Sequence, residues 1–148
     1  MDTKELLQRY AGGERDFSTA DLSGARLSEV DLRGASLRKA ILFEADLSGA
    51  TLIDVNLNGV VFRQANLTDV CLSGAKLTGT DLSEAMLIGA DLSGANLWRS
   101  TLRGATLRKA NLSRSNLRDA DLTNADLSEA VLNSATLTGA TLNQTNLT

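Results

Sequence analysis

The chain has 148 residues, a formal charge of −3, one cysteine, and neither proline nor histidine. That length suits one domain. The missing histidine removes the commonest acid–base and metal-binding side chain, and the mild acidity gives no general case for nucleic-acid binding. Cys71 has no partner, so no internal disulfide is expected. Only 3% of residues are aromatic against 43% apolar, mostly Leu and Ala, which points to a narrow and repetitive interior. Met1 to Tyr10 is charged and has no apolar run, so no signal peptide is read. No stretch approaches the ~20 apolar residues that span a bilayer. The expectation is a soluble, cytoplasmic protein with no membrane partner.

In chain order, residues 1–15 form the first predicted element, a short capping helix. Asp2 or Thr3 is placed to cap its start, and Glu5 follows Asp2 at capping-box spacing. Leu6, Leu7 and Tyr10 are expected to form one apolar stripe, ended by Gly12-Gly13. The stripe is suited to covering the apolar end of whatever follows.

Residues 16–148 follow a single register. From Phe17, every fifth residue to Leu147 is a centre; Phe17 and Phe62 fill two of these 27 positions and Leu fills 25. Two residues before each centre from Leu22 onward, at the 26 positions from Ala20 to Thr145, stands a small residue, usually Ala, otherwise Val, Thr or Ser. The residue just before the centre is usually Asp, Asn, Thr or Ser. Leucines five apart fan around a helix and leave no stripe. On a flat strand, an odd step flips each one to the opposite face. Apolar spacings of 2, 3, 2, 3 instead coil the chain around an axis. Leu and Ala then point inward and the other three residues outward, with polar and Gly residues at the corners.

Units such as Ala45-Asp46-Leu47-Ser48-Gly49 and Ala90-Asp91-Leu92-Ser93-Gly94 resemble the pentapeptide-repeat family, whose consensus is A(D/N)LXX. The resemblance covers residues 16–148. Leu7 to Phe17 is also similar to the start of cyanobacterial members. The resemblance implies an all-β fold: a right-handed, quadrilateral β-helix with four units per coil, hence nearly seven coils and roughly 30 Å of rod. Each Leu is then expected to stack on the Leu twenty residues later.

With four units per coil, centres twenty apart define four faces. Face one (centres 17, 37, 57, 77, 97, 117 and 137) carries Arg38, Lys39, Lys76, Arg99 and Arg118 against Asp16 and Asp119, a net of +3. The other three faces sum to −3, −2 and −1 in order. Face one also carries Trp98, expected outward beside Arg99 as an interface anchor. Face two is expected to stack Ile41 under Val61 with Phe43 adjacent, a small apolar patch. Ile41, Phe43, Val61, Trp98 and Arg99 are thus the candidate interaction surface, although each also fits ordinary surface scatter.

No catalytic, cofactor or metal residues are expected. Cys71 lacks a base, the carboxylates lie along a convex rod without a cleft, and the glycines recur at corners instead of in a phosphate-binding loop. The leading reading is a non-catalytic module for an unidentified protein partner. The alternative, implied by the gyrase-binding branch of the family, is a DNA mimic that occupies a topoisomerase and confers quinolone resistance. It is weakened by the basic face one, the uninterrupted repeat, and the lack of that branch's dimerising C-terminal helix. Direct nucleic-acid binding is not expected, because +3 spread along the rod is weak. Leu132, Leu137, Leu142 and Leu147 are expected to line a terminal coil open to end-to-end self-association.

Overall fold

The computed structural model describes residues 1–148. One α-helix, α1 (Thr3–Ala11), precedes a right-handed β-helix solenoid whose bridges run from Asp16 to Asn146. Its bridges are single residues, all parallel, and each joins residues twenty apart, as in Asp16↔Ser36 and Asp126↔Asn146. A register of twenty is four five-residue units, so each unit lies directly over the one four units earlier.

The five-residue sequence follows from the need to bond every backbone N–H. In the unit around Leu47, the Asp46 N–H donates to Ala25 O of the preceding coil at 2.9 Å. Leu47 and Gly49 donate to Asn66 O and Thr68 O of the next coil at 2.8 and 2.9 Å. Ala50 closes the corner onto Leu47 O at 3.0 Å. That leaves the Ser48 N–H, which donates to the Asp46 carboxylate at 3.0 Å. The acidic or amide residue before the centre is therefore a local acceptor for the one donor that the ladder misses. Fourteen units carry Asp or Asn there, and in all fourteen its side chain accepts from the N–H two residues on.

These bonds favour the ionised carboxyl. The Ser18 and Ser23 hydroxyls, then their N–H groups, hold Asp16 and Asp21 below the usual carboxylate range. The Ser48 N–H, then its hydroxyl, does the same for Asp46.

Each corner turns through a residue with positive φ, two after the centre. Glycine fills ten of these 26 positions, and ordinary residues fill the rest at φ of 54 to 62°. A positive φ at only the third turn residue is the pattern of a type II turn. Left-handed backbone costs an L-residue roughly 1–2 kcal/mol, so the ladder holds many corners against their own preference.

Inside, Phe17 and every centre from Leu22 to Leu127 are at most 2% exposed. Ala85 and most of its column are fully buried. Where Thr80, Ser100 and Ser115 replace Ala, each hydroxyl donates to the carbonyl three residues earlier, at 2.8, 2.6 and 2.7 Å. That internal bond makes a buried hydroxyl tolerable. In the last coil Leu132 and Leu137 are half-buried, and Leu142 and Leu147 are 39% and 54% exposed.

Helix α1 closes the other end. Asp2 is its N-cap, accepting from the Glu5 N–H at 2.8 Å. Leu6 is fully buried against the first coil, with Met1 and Tyr10 packed partly against the same core. One expectation fails: Leu7 is exposed. It stands 100° around the helix from Leu6, whereas Tyr10, four residues on, shares Leu6's side. The helix also satisfies backbone groups orphaned at the first coil. The Met1 ammonium donates to Asp21 O at 3.0 Å, Thr3 Oγ accepts from the Arg26 N–H at 3.1 Å, and the Tyr10 hydroxyl donates to Arg33 O at 2.9 Å.

Two substitutions test the inward assignment. Leu82→Ala is expected to cost about 2–5 kcal/mol through the cavity it leaves, and Ala85→Leu about 1–3 kcal/mol through overpacking. Chemical denaturation midpoints that stay at the wild-type value for both would refute the packing described.

Candidate interaction surface

The ladder fixes where each outward side chain starts, so the surface can be read column by column. Ile41 and Val61 are bridge partners and stack as expected. Ile41 and Phe43 are 40% and 36% exposed, and Val61 is half-buried. Asp21 precedes this column and Asp81 follows it, so the patch spans only two coils.

Trp98 is held more firmly than its sequence suggests. Its backbone N–H donates to Asn96 Oδ1 at 3.1 Å, and its indole Nε1 donates to the Asp119 carboxylate at 3.2 Å. The Arg99 guanidinium lies 4.5 Å from the ring centroid, within cation–π range. Even so, Trp98 remains 37% exposed. Asp119 was not singled out as a contact from the sequence, although it lies twenty residues after Arg99 and hence one coil above it. A Cβ on Gly139, one coil further, would overlap the Asp119 carboxylate. Gly139 thus leaves the room in which Asp119 reaches the indole.

Trp98 and Phe43 are nearly three circuits apart in the twenty-residue register, roughly 13 Å along the axis. The structure therefore presents two separate places and does not bring the five candidate residues together.

Charge pairing also differs between columns. A cation just after one centre can meet an acid just before the centre one coil later, eighteen residues on. Arg63–Asp81 at 3.9 Å and Arg103–Asp121 at 3.0 Å are such pairs. Arg108 and Lys109 lie 3.7 and 4.0 Å from Glu129, and Arg33 pairs with Asp31. In the Trp98 column the equivalent positions after Arg38 and Arg118 are Asn56 and Thr136, which carry no charge. Arg38, Lys39, Lys76, Arg99 and Arg118 accordingly have no carboxylate within 4.0 Å.

Elsewhere the surface holds little that is chemically reactive. Cys71 is half-buried and free. No three His, Cys, Asp or Glu residues are grouped as metal ligands, and no helix is long and apolar enough to cross a membrane. An open hollow of about 510 Å³ lies between Met1–Lys4 and Ser23–Arg26.

Parallel single-residue bridges, a corner every five residues and a helical cover over one end define a β-helix solenoid of short repeats. The sequence model for pentapeptide repeats matches residues 16–52, 45–83, 80–119 and 110–148, with eight copies. The chain belongs to the pentapeptide-repeat family.

Among solved structures it is similar to Rfr23 from the cyanobacterium Cyanothece 51142, with 28% identity, 97% of each chain covered and a TM-score of 0.52. It is also similar to HetL of the cyanobacterium Nostoc sp. PCC 7120, described as involved in heterocyst differentiation regulation. That match has 26% identity, covers 99% of this chain and 94% of HetL, and has a TM-score of 0.35. The pentapeptide-repeat protein alr5209 of Nostoc PCC 7120 is 34% identical, with 74% of this chain and 80% of that one covered and a TM-score of 0.40. No curated protein matches the sequence.

Trp98 is the sole tryptophan, so its fluorescence reports this site alone. Asp119→Ala is expected to increase acrylamide quenching of the indole while moving the thermal midpoint little, since Asp119 is exposed. Unchanged quenching would show that the carboxylate does not hold the ring.

Proposed function

We propose that the chain is a non-catalytic binding module: a cap of residues 1–15 on a four-sided rod of about seven coils (16–148), whose outward side chains engage a protein partner. The observation that carries this reading is Trp98. A large ring that is held by Asp119 and Arg99 and still 37% exposed loses little freedom on binding. Pre-ordered aromatic side chains of this kind make strong interface anchors. Ile41 and Phe43 supply a second, apolar contact.

The DNA-mimic alternative draws on Asp21, Glu44, Asp81, Glu84 and Asp121 of face two. Arg63 and Arg103 pair with two of those acids, which weakens the field a mimic needs.

The affinity-capture test compares wild type, Trp98→Ala and Phe43→Ser in extract of the native host. One protein retained by wild type and lost with either variant, at unchanged circular-dichroism melting, is the expected result. Identical capture by all three removes both anchors.

We further propose that a second copy of this chain docks on the coil ending at Thr148. The N–H groups of Leu132, Ser134, Leu137, Gly139, Leu142 and Gln144 have no backbone acceptor there. They continue the ladder in the same register, beside the exposed Leu142 and Leu147. Unpaired strand edges next to apolar side chains recruit further strands. Sedimentation velocity of the 148-residue chain is expected to show concentration-dependent dimers that Leu142→Glu abolishes. Monomer alone at high concentration overturns the proposal.

A further inference from the structure

We infer that the face carrying Trp98 docks an acidic, extended segment of a partner protein. The segment runs along the rod axis over Arg38, Lys39, Lys76, Arg99 and Arg118, with Trp98 as its apolar anchor. This names the partner chemistry for the binding module proposed above and rests on that reading.

The first support is the contrast in pairing. Of the seven cations on the other columns, Arg33, Arg63, Arg103, Arg108 and Lys109 have a carboxylate within 4.0 Å and only Arg26 and Arg114 do not, whereas none of the five cations of this column has one. For Arg38 and Arg118 the cause is local: Asn56 and Thr136 stand where Asp81 and Asp121 stand on the neighbouring column; for Arg99, the acid one coil above, Asp119, bonds the Trp98 indole instead. Asp16, on which the Arg38 charge acts, and Asp119 share this face without pairing any of the five within 4.0 Å, so a net +3 remains along it. That field is available to a ligand.

Spacing is the second support. The charges extend from the coil of Arg38 to that of Arg118, four registers of twenty residues, or roughly 19 Å. About six residues of extended chain cover that distance. Lys39 already lies along this path, since its stem crosses over Gly59 one coil above.

Width decides between a peptide and a nucleic acid. The adjoining faces carry exposed carboxylates, Glu44 and Glu84 on one side and Asp54 on the other. These lie within about one Debye length, ~10 Å at moderate salt, and confine the positive potential to a single face. A single extended peptide fits that strip. A nucleic-acid backbone, with bases to accommodate beside it, spreads its phosphates onto the acidic flanks. Trp98, stacked under Arg99, gives such a peptide an apolar contact amid the charges.

The experiment uses the 148-residue chain and two probes. One is a short poly-glutamate peptide carrying a single phenylalanine. The other is an oligothymidylate of equal charge. Both are titrated while Trp98 emission is followed. The peptide is expected to give a saturable change whose affinity falls at least ~10-fold from low to physiological salt. Lys76→Glu combined with Arg118→Glu is expected to weaken it at least ~10-fold. Arg108→Glu with Lys109→Glu, on a different column, is expected to stay within ~2-fold. Circular-dichroism melting verifies that each variant is folded.

Absence of saturable peptide binding at low salt, equal weakening by both charge reversals, or tighter binding of the oligothymidylate overturns the inference. If the peptide fails while Trp98→Ala still abolishes capture of a host protein, only the acidic-segment inference falls. If capture is also indifferent to Trp98, the binding-module reading falls with it.

Discussion

A backbone that turns every five residues has no long strand in which to satisfy its polar groups, and the rest of this molecule follows from that constraint. Each unit bridges its neighbours through one residue. In a unit such as that of Leu47, four of the five N–H groups find carbonyls in the adjacent coils or across the corner, and the fifth takes the oxygen of the Asp or Asn before the centre. Remove that acceptor, and the donor at that corner depends on water. The Asp or Asn before the centre is thus part of the main-chain hydrogen-bond system, although it is drawn as a side chain. The same system explains how so many ordinary residues tolerate φ near +60°. Two inter-coil bonds flank each corner residue's turn, and together they outweigh the left-handed strain.

The inward half of the structure was legible because packing alone dictates it. Leu at the centre and a small residue two before it are each buried against copies of themselves, so a single misplaced bulky residue would be felt by the coils on both sides. The acceptor role of Asp and Asn was read only as a corner preference, because which N–H lacks a partner depends on ladder geometry that no periodicity displays. Leu7 was misassigned for a simpler reason. Two adjacent leucines on a nine-residue helix cannot share one narrow face, and the face is set by what the first coil leaves open: Asp21 O, Arg26 N and Arg33 O, which the cap also bonds.

The outward half was legible in direction but not in contact. Stacking of Ile41 on Val61 follows from the twenty-residue register. The hold of Asp119 on Trp98 does not, because it depends on a side chain rising one coil and on Gly139 leaving space for it. Ion pairing behaves in the same way. A face's net charge can be summed from the sequence, yet Arg63 and Arg103 are neutralised while Arg38 and Arg118 are not. The difference lies in one residue eighteen positions ahead of each.

That dependence separates stability from function in this fold. Exposed ion pairs contribute little to folding, so the chain is free to place Asn56 or Thr136 where an acid would pair, without loss of the rod. Because the ladder fixes every Cα, such an exchange changes the field of one face and leaves its shape alone. The fold is thus a ruler, with a mark at each coil whose sign and size the outward residues set independently. Trp98 is the largest such mark, and the unpaired cations on either side of it are aligned with it by the same backbone bonds that close the core.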